Sequence, residues 1–277
     1  MINFDFDKTV SELNGKDKFT FDDFRLLVEV LRHERGCPWD REQTHQSIRK
    51  NMIEEAYEAA EAIDLNDSKL LCEELGDVML QTLLHSSISS ANGGFDVDDV
   101  ITGICKKLIV RHPHVFGEVS VSGTGEVLSN WEAIKQATKG NKTATESIES
   151  ISSALPALVR AHKIGQKAAK HNFDFANAND SLDKVGEEVK ELREAIVEGD
   201  FNHTEEEVGD LLLAVVNTAR LLGIDSEEAL HKANQKFFNR FALVEKSALS
   251  DGGALKDKTP SEMLELWEKA KQMAKNA

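Results

Sequence analysis

The chain has 277 residues, 40% hydrophobic and 30% charged, enough apolar content to bury a core in one large domain or two modest ones and to exclude a disordered polymer. A net charge of −16 disfavours a broad basic face for DNA or RNA and adsorption to anionic lipid, so neither a nucleic-acid nor a membrane partner is expected. Cys37, Cys72 and Cys105 lie far apart and are odd in number, which argues against a disulfide framework or a thiolate zinc site. The acidic amino terminus also lacks an apolar h-region, and these features together point to the cytoplasm.

Few prolines, one tyrosine and long stretches rich in Ala, Glu, Leu and Lys predict an all-α chain. Residues 1–20 form an amino-terminal extension without a readable role. Periodicity predicts helices over Phe21 to Arg35, broken at Gly36-Cys37-Pro38, then Ser47 to Leu65, Ser68 to Ser90 and Val97 to Arg111. Residues 138–153 have the Ser, Thr, Gly and Asn content of a linker between a first repeat (21–137) and a second (154–277). In the second repeat, helices are predicted over Leu155 to His171, Ser181 to Glu198, Thr204 to Leu222, Ser226 to Leu249 and Ser261 to Ala277. Thr204 and Glu207 have the spacing of a capping box.

The two halves are related by duplication. The run from Glu54 to Ile63 matches Glu187 to Ile196 at an offset of 133, with six of ten positions identical, and the same offset carries Glu73-Glu74-Leu75-Gly76-Asp77 onto Glu206-Glu207-Val208-Gly209-Asp210. After a slip in register, Lys107 and Arg111 correspond to Lys236 and Arg240, and Trp131 to Trp267.

Residues three or four apart share a helix face. Glu188 and Glu191 therefore project together with Glu187 beside them, as do Glu207 and Asp210 with Glu206 beside them. A solvated acidic face is the plain reading of such clusters. However, the helix carrying Glu207 and Asp210 continues as Leu211-Leu212-Leu213-Ala214-Val215-Val216, apolar all round, which predicts a buried helix whose carboxylates need a positive partner. Oxygen-only ligands suit a hard ion, Mg²⁺, with Mn²⁺ as a substitute. Lys236 and Arg240, one turn apart, can meet phosphate oxygens, and Trp267 can stack on a base, although exposed charge and core packing are their ordinary roles.

The pattern of Glu187, Glu188, Glu191, Glu207 and Asp210, duplicated as Glu55, Glu58, Glu74 and Asp77, resembles the MazG nucleoside triphosphate pyrophosphohydrolases. Gly36-Cys37-Pro38-Trp39-Asp40, Arg111-His112-Pro113-His114-Val115-Phe116, and Leu155-Pro156-Ala157-Leu158 leading to Lys163 carry the same likeness from about Phe21 to the last helix. The resemblance implies an all-α homodimer of tandem four-helix-bundle-like units that converts a nucleoside triphosphate and water to the monophosphate and pyrophosphate with Mg²⁺. By the same resemblance the second repeat is the competent one, and Glu188, Glu191, Glu207 and Asp210 ligate the metal. Lys184, Val185, Gly186, Glu187, Glu188, His203, Thr204, Glu205, Glu206, Lys236, Arg240 and Trp267 surround the nucleotide.

The set Glu55, Glu58, Glu74 and Asp77 is a second metal group without an assured activity. Asn51 stands in the first repeat where Lys184 stands in the second, a loss of positive charge that favours the second. Gly186 leaves the start of its helix open. In the implied reaction water attacks the α-phosphorus, Glu187 or Glu206 takes its proton, and Lys236 and Arg240 stabilise the charge that develops. Free N–H groups of a helix starting at Thr204 would suit a phosphate oxygen. Base and sugar preference stay open, and a toxin–antitoxin partner follows from the resemblance alone.

Two other readings compete. Glu42-x-x-His45 and Glu228-x-x-His231 have the spacing of di-iron carboxylate bundles. The remaining reading is a non-catalytic dimeric scaffold whose acidic grooves bind a basic partner.

Overall fold

The computed structural model describes residues 4–139, 143–250 and 253–274. It is all-α, with no strand among the described residues, and it divides into two compact units, Met1–Thr138 and Lys139–Ala277.

The first unit holds α1 (Phe6–Asn14), α2 (Phe21–Arg32), α3 (Pro38–Glu42), α4 (Arg49–Asp64), α5 (Ser68–Ala91), α6 (Val97–Arg111), α7 (Pro113–Phe116) and α8 (Thr124–Lys139). Its core joins Val28 of α2, Ile48 before α4, Leu83, Leu84 and Ile88 of α5, and Val97 of α6, with Phe24 and Leu80 packed against them. Thr20 and Asp23 open α2 with a reciprocal capping box. Lys16 also bonds Asp23, and together with the Thr20 groups it holds that carboxyl down at about 2.

Helix α2 stops at Arg32, not at the expected Arg35, because His33 turns to extended backbone. The chain then passes so close to itself that a Cβ on Gly36 would lie 2.2 Å from the Val30 carbonyl oxygen. Pro38 does not merely break a helix; it opens α3 in the first turn, where its missing N–H costs nothing. The amino-terminal extension contains α1, which docks on the end of α2: Asp7 pairs with Arg35, and the Arg35 guanidinium lies 4.5 Å over the Phe6 ring.

The second unit holds α9 (Ala144–Glu149), α10 (Ala157–Ala169), α11 (Ala178–Glu198), α12 (Phe201–Leu221), α13 (Ser226–Ser250), a 3₁₀ turn at Leu255–Asp257, and α14 (Pro260–Met273). Part of the stretch with linker composition is thus helical: α9 packs on α10, and Lys167 donates to Ser147 Oγ. Val244 and Ala248 of α13 form a core with Leu266 and Ala270 of α14, flanked by Trp267. The last residues of the helix expected to reach Ala277 lie outside the described residues.

Two expectations about the central helices are corrected. Gly199, with φ 73, ends α11 in the left-handed conformation, and Asp200 caps α12 by accepting from the N–H groups of Asn202 and His203. Helix α12 therefore starts before Thr204, and the Thr204/Glu207 capping box does not form. Thr204 Oγ1 instead donates to the Asp200 carbonyl within the first turn, so no free helix terminus lies at Thr204. Helix α11 likewise begins at Ala178 and runs through Gly186 without a break, an interior glycine costing about 1 kcal/mol relative to alanine. The second correction concerns the apolar run of α12. Within a single chain it buries only Ala214 and Val216, while Leu212, Leu213 and Val215 stay exposed.

Candidate functional site

Antiparallel α11 and α12, joined by the short turn at Gly199 and Asp200, lay their acidic faces against each other. One carboxylate oxygen from each of Glu188, Glu207 and Asp210 falls within 4.8 Å of the others. Glu188 is 5% exposed and Glu207 9%, whereas Asp210 is exposed. Helix spacing explains the geometry: Glu207 and Asp210 are three apart on α12, and Glu188 faces them from α11.

Glu191 stands one turn on from Glu188. Its hydrogen bond with Glu188 pushes its pKa up, partly opposed by the charge of Lys184. Lys184 Nζ lies 2.7 Å from Glu188, 3.3 Å from Glu187 and 3.9 Å from Glu191. This ammonium is itself held protonated far above the usual lysine range, chiefly by the Glu188 bond. His203 bridges Glu198 at 3.0 Å and Glu207 at 3.3 Å, and the Glu198 contact leads the upward shift of its pKa. The other Glu207 oxygen, Oε2, is buried and has no hydrogen-bond partner. A buried orphan carboxylate oxygen beside two further carboxylates fits a hard divalent cation, since an unpaired charge at such depth is costly.

The first unit repeats the arrangement between α4 and α5, where oxygens of Glu55, Glu58 and Glu74 lie within 4.8 Å of one another. Asp77 is outside that close group but acts on Glu55 and Glu74 through its charge. Burial, followed by repulsion from neighbouring acids, raises both Glu55 and Glu74. Glu55 accepts from the neutral Gln81 Nε2 at 3.4 Å and shares a side-chain hydrogen bond with Glu58. Among the described residues no cation takes the place that Lys184 holds in the second unit, where the counterpart is Asn51.

Other expected site residues stand on α13 and α14. Lys236 and Arg240 line a groove of about 390 Å³ on α13 with Lys232, Gln235 and Asn239, and Arg240 Nε is buried there without a partner. Trp267 packs on the α13–α14 core, its ring centroid 5.2 Å from that of Phe237. Among the described residues no ion pair joins Lys236 or Arg240 to the carboxylates of α11 and α12. Of the remaining residues, Val185 is half-buried, and Gly186, Glu205 and Glu206 are exposed. In the first unit the Trp131 ring lies under two cations, Arg111 at 5.3 Å and Lys135 at 4.8 Å.

The di-iron spacing does not assemble. His45 stacks on His85 with their Nδ1 atoms 2.8 Å apart, Glu228 pairs with Lys232, and neither acidic group includes a histidine among the described residues. The contact the sequence reading missed is the reach of Lys184 onto three acids at once. Its i, i+3 and i, i+4 spacing to Glu187 and Glu188 is the signal that could have shown it.

Comparison with known proteins agrees with the duplication. The MazG nucleotide pyrophosphohydrolase domain matches twice, at residues 43–116 and 178–243. The nucleoside triphosphate pyrophosphohydrolase/pyrophosphatase MazG of Thermotoga maritima is 42% identical over 251 residues, 91% of this chain and 95% of that protein. The nucleoside triphosphate pyrophosphohydrolase of Escherichia coli K12 is 40% identical over 255 residues, 90% of this chain and 96% of that protein. A Bacillus subtilis protein, YabN, uncharacterised, is 45% identical across 91% of this chain, which corresponds to 52% of its own length. With both repeats matched and the Thermotoga and Escherichia relatives aligned along nearly their whole length, the chain belongs to the MazG family.

Proposed function

We propose that this chain hydrolyses nucleoside triphosphates to the monophosphate and pyrophosphate, with Mg²⁺ held in the second repeat. The observation that carries the reading is the cradle between α11 and α12, where buried Glu188 and Glu207 meet Asp210 and one buried oxygen is left unpartnered. The names of the Thermotoga and Escherichia relatives support the substrate class.

Glu188, Glu191, Glu207 and Asp210 would hold the ion. When bound, it neutralises phosphate charge and lowers the pKa of a coordinated water. Glu187 or Glu206, each next to a ligand, accepts the proton of the attacking water. The new bond forms between water oxygen and the α-phosphorus, the bond from the α-phosphorus to the bridging oxygen breaks, and its electron pair leaves with pyrophosphate. Lys236 and Arg240 supply positive charge to the departing phosphates, and Arg240 Nε has a donor to spare. Lys184, Val185, Gly186, His203, Thr204, Glu205 and Trp267 complete the surroundings of the nucleotide in this reading.

Turnover is assigned to the second repeat because the first has lost a cation at Asn51 and has Trp131 covered by Arg111 and Lys135. We place the enzyme in the cytoplasm as a homodimer; no helix among the described residues is long and apolar enough to cross a membrane, and the three cysteines are free. Pyrophosphate release from each common nucleoside triphosphate, with Mg²⁺ and after its removal by EDTA, tests the proposal. Release that needs Mg²⁺ and returns with Mn²⁺ is expected. No release from any triphosphate by the folded protein would reject it and leave the acidic grooves as binding surfaces.

A further inference from the structure

The metal cradle of the second repeat already contains a cation, and it belongs to the protein. The Lys184 ammonium sits 2.7 Å from Glu188, 3.3 Å from Glu187 and 3.9 Å from Glu191, so it holds an oxygen of Glu188 and puts its charge beside the acids that a divalent ion would need. Glu207 keeps an unpartnered buried oxygen, which the lysine does not satisfy. The first repeat provides an internal comparison. Its carboxylates come equally close, yet they face one another and the neutral Gln81, with Asn51 at the lysine position.

We infer that Lys184 is a built-in counter-ion for the second cradle, one that a divalent metal must displace, so that the metal-free second repeat resists loading while the first does not. This rests on the metal reading proposed above and assigns Lys184 a task distinct from holding nucleotide. The physical reason is competition for the same oxygens. An ammonium satisfied by three carboxylates leaves them little net attraction for another cation, and removing it restores the full negative field. A lysine on a flexible four-carbon stem can swing away when phosphate oxygens are offered in exchange, so metal bound to a polyphosphate enters more readily than metal alone.

The test uses Mn²⁺ alone as the probe, titrated into the full chain and followed by the EPR signal of the free ion. In a Glu58→Gln background, which disables the first cradle, adding Lys184→Met is expected to tighten Mn²⁺ binding at least fivefold. In a Glu191→Gln background, Asn51→Lys is expected to weaken binding at the first cradle by a similar factor. Equal or weaker Mn²⁺ affinity in a folded Lys184→Met protein overturns the inference. Should that variant fail to fold by circular dichroism, Asn51→Lys decides, with unchanged affinity counting against it. Absence of Mn²⁺ binding in every protein, wild type included, would reject the metal reading together with the lysine's role. Binding that ignores the lysine would reject the second alone.

Discussion

Glu188→Gln is expected to lower pyrophosphate release by roughly 10²–10³-fold, the loss that follows removal of one preorganised charge-stabilising group. The substitution keeps the shape of a side chain that is 5% exposed, so packing of α11 on α12 should survive. What changes is the charge and one oxygen: the cradle loses a ligand, and an amide N–H₂ can point a donor where the cation must sit. The same exchange at Glu58 in the first repeat should leave release within a few-fold of wild type. Steady-state rates on both variants, with thermal melts to confirm folding, check the difference. Equal losses in the two would mean that turnover is not confined to the second repeat.

Replacing Leu212 and Val215 together by lysine should convert the proposed homodimer into monomers. These residues, three apart on α12, share a face and lie exposed in the single chain, as do Leu75 and Met79 on α5. Apolar helix faces left open in this way are what a second copy would cover. Light scattering at micromolar concentration should give twice 30.7 kDa for the wild-type chain and 30.7 kDa for the double variant. A monomeric wild type would contradict the assembly.

How far the sequence could be read follows from the range of the interactions involved. The acidic clusters were legible because helical spacing alone puts Glu188 beside Glu191 and Glu207 beside Asp210, and the duplication repeated the spacing at Glu55, Glu58, Glu74 and Asp77. Helix ends were less legible. Asp200 and Thr204 are both good caps, and the left-handed turn at Gly199 decided between them in favour of Asp200. The apolar run of α12 predicts burial, yet Leu212, Leu213 and Val215 are exposed, because a hydrophobic pattern records that a face needs covering, not whether its own chain covers it.

Packing between helices remote in sequence was out of reach. Docking of α1 on the end of α2 through Arg35, Asp7 and Phe6 depends on residues nearly thirty positions apart, and periodicity carries no such information. Helix spacing places Lys236 and Arg240 one turn apart, but not the Ala274 contact at the end of α14 that completes their groove. The family resemblance places Lys184 beside the nucleotide. Its reach to three carboxylates follows from elementary helix spacing, since Glu187, Glu188 and Glu191 lie three, four and seven positions on.

The central claim is that water attacks the α-phosphorus of a nucleoside triphosphate, and the most direct measurement is the reaction run in ¹⁸O-labelled water with mass analysis of both products. A single heavy oxygen in the nucleoside monophosphate, with unlabelled pyrophosphate beside it, is the result expected. Label in the pyrophosphate, or products that are nucleoside diphosphate and inorganic phosphate, would contradict it.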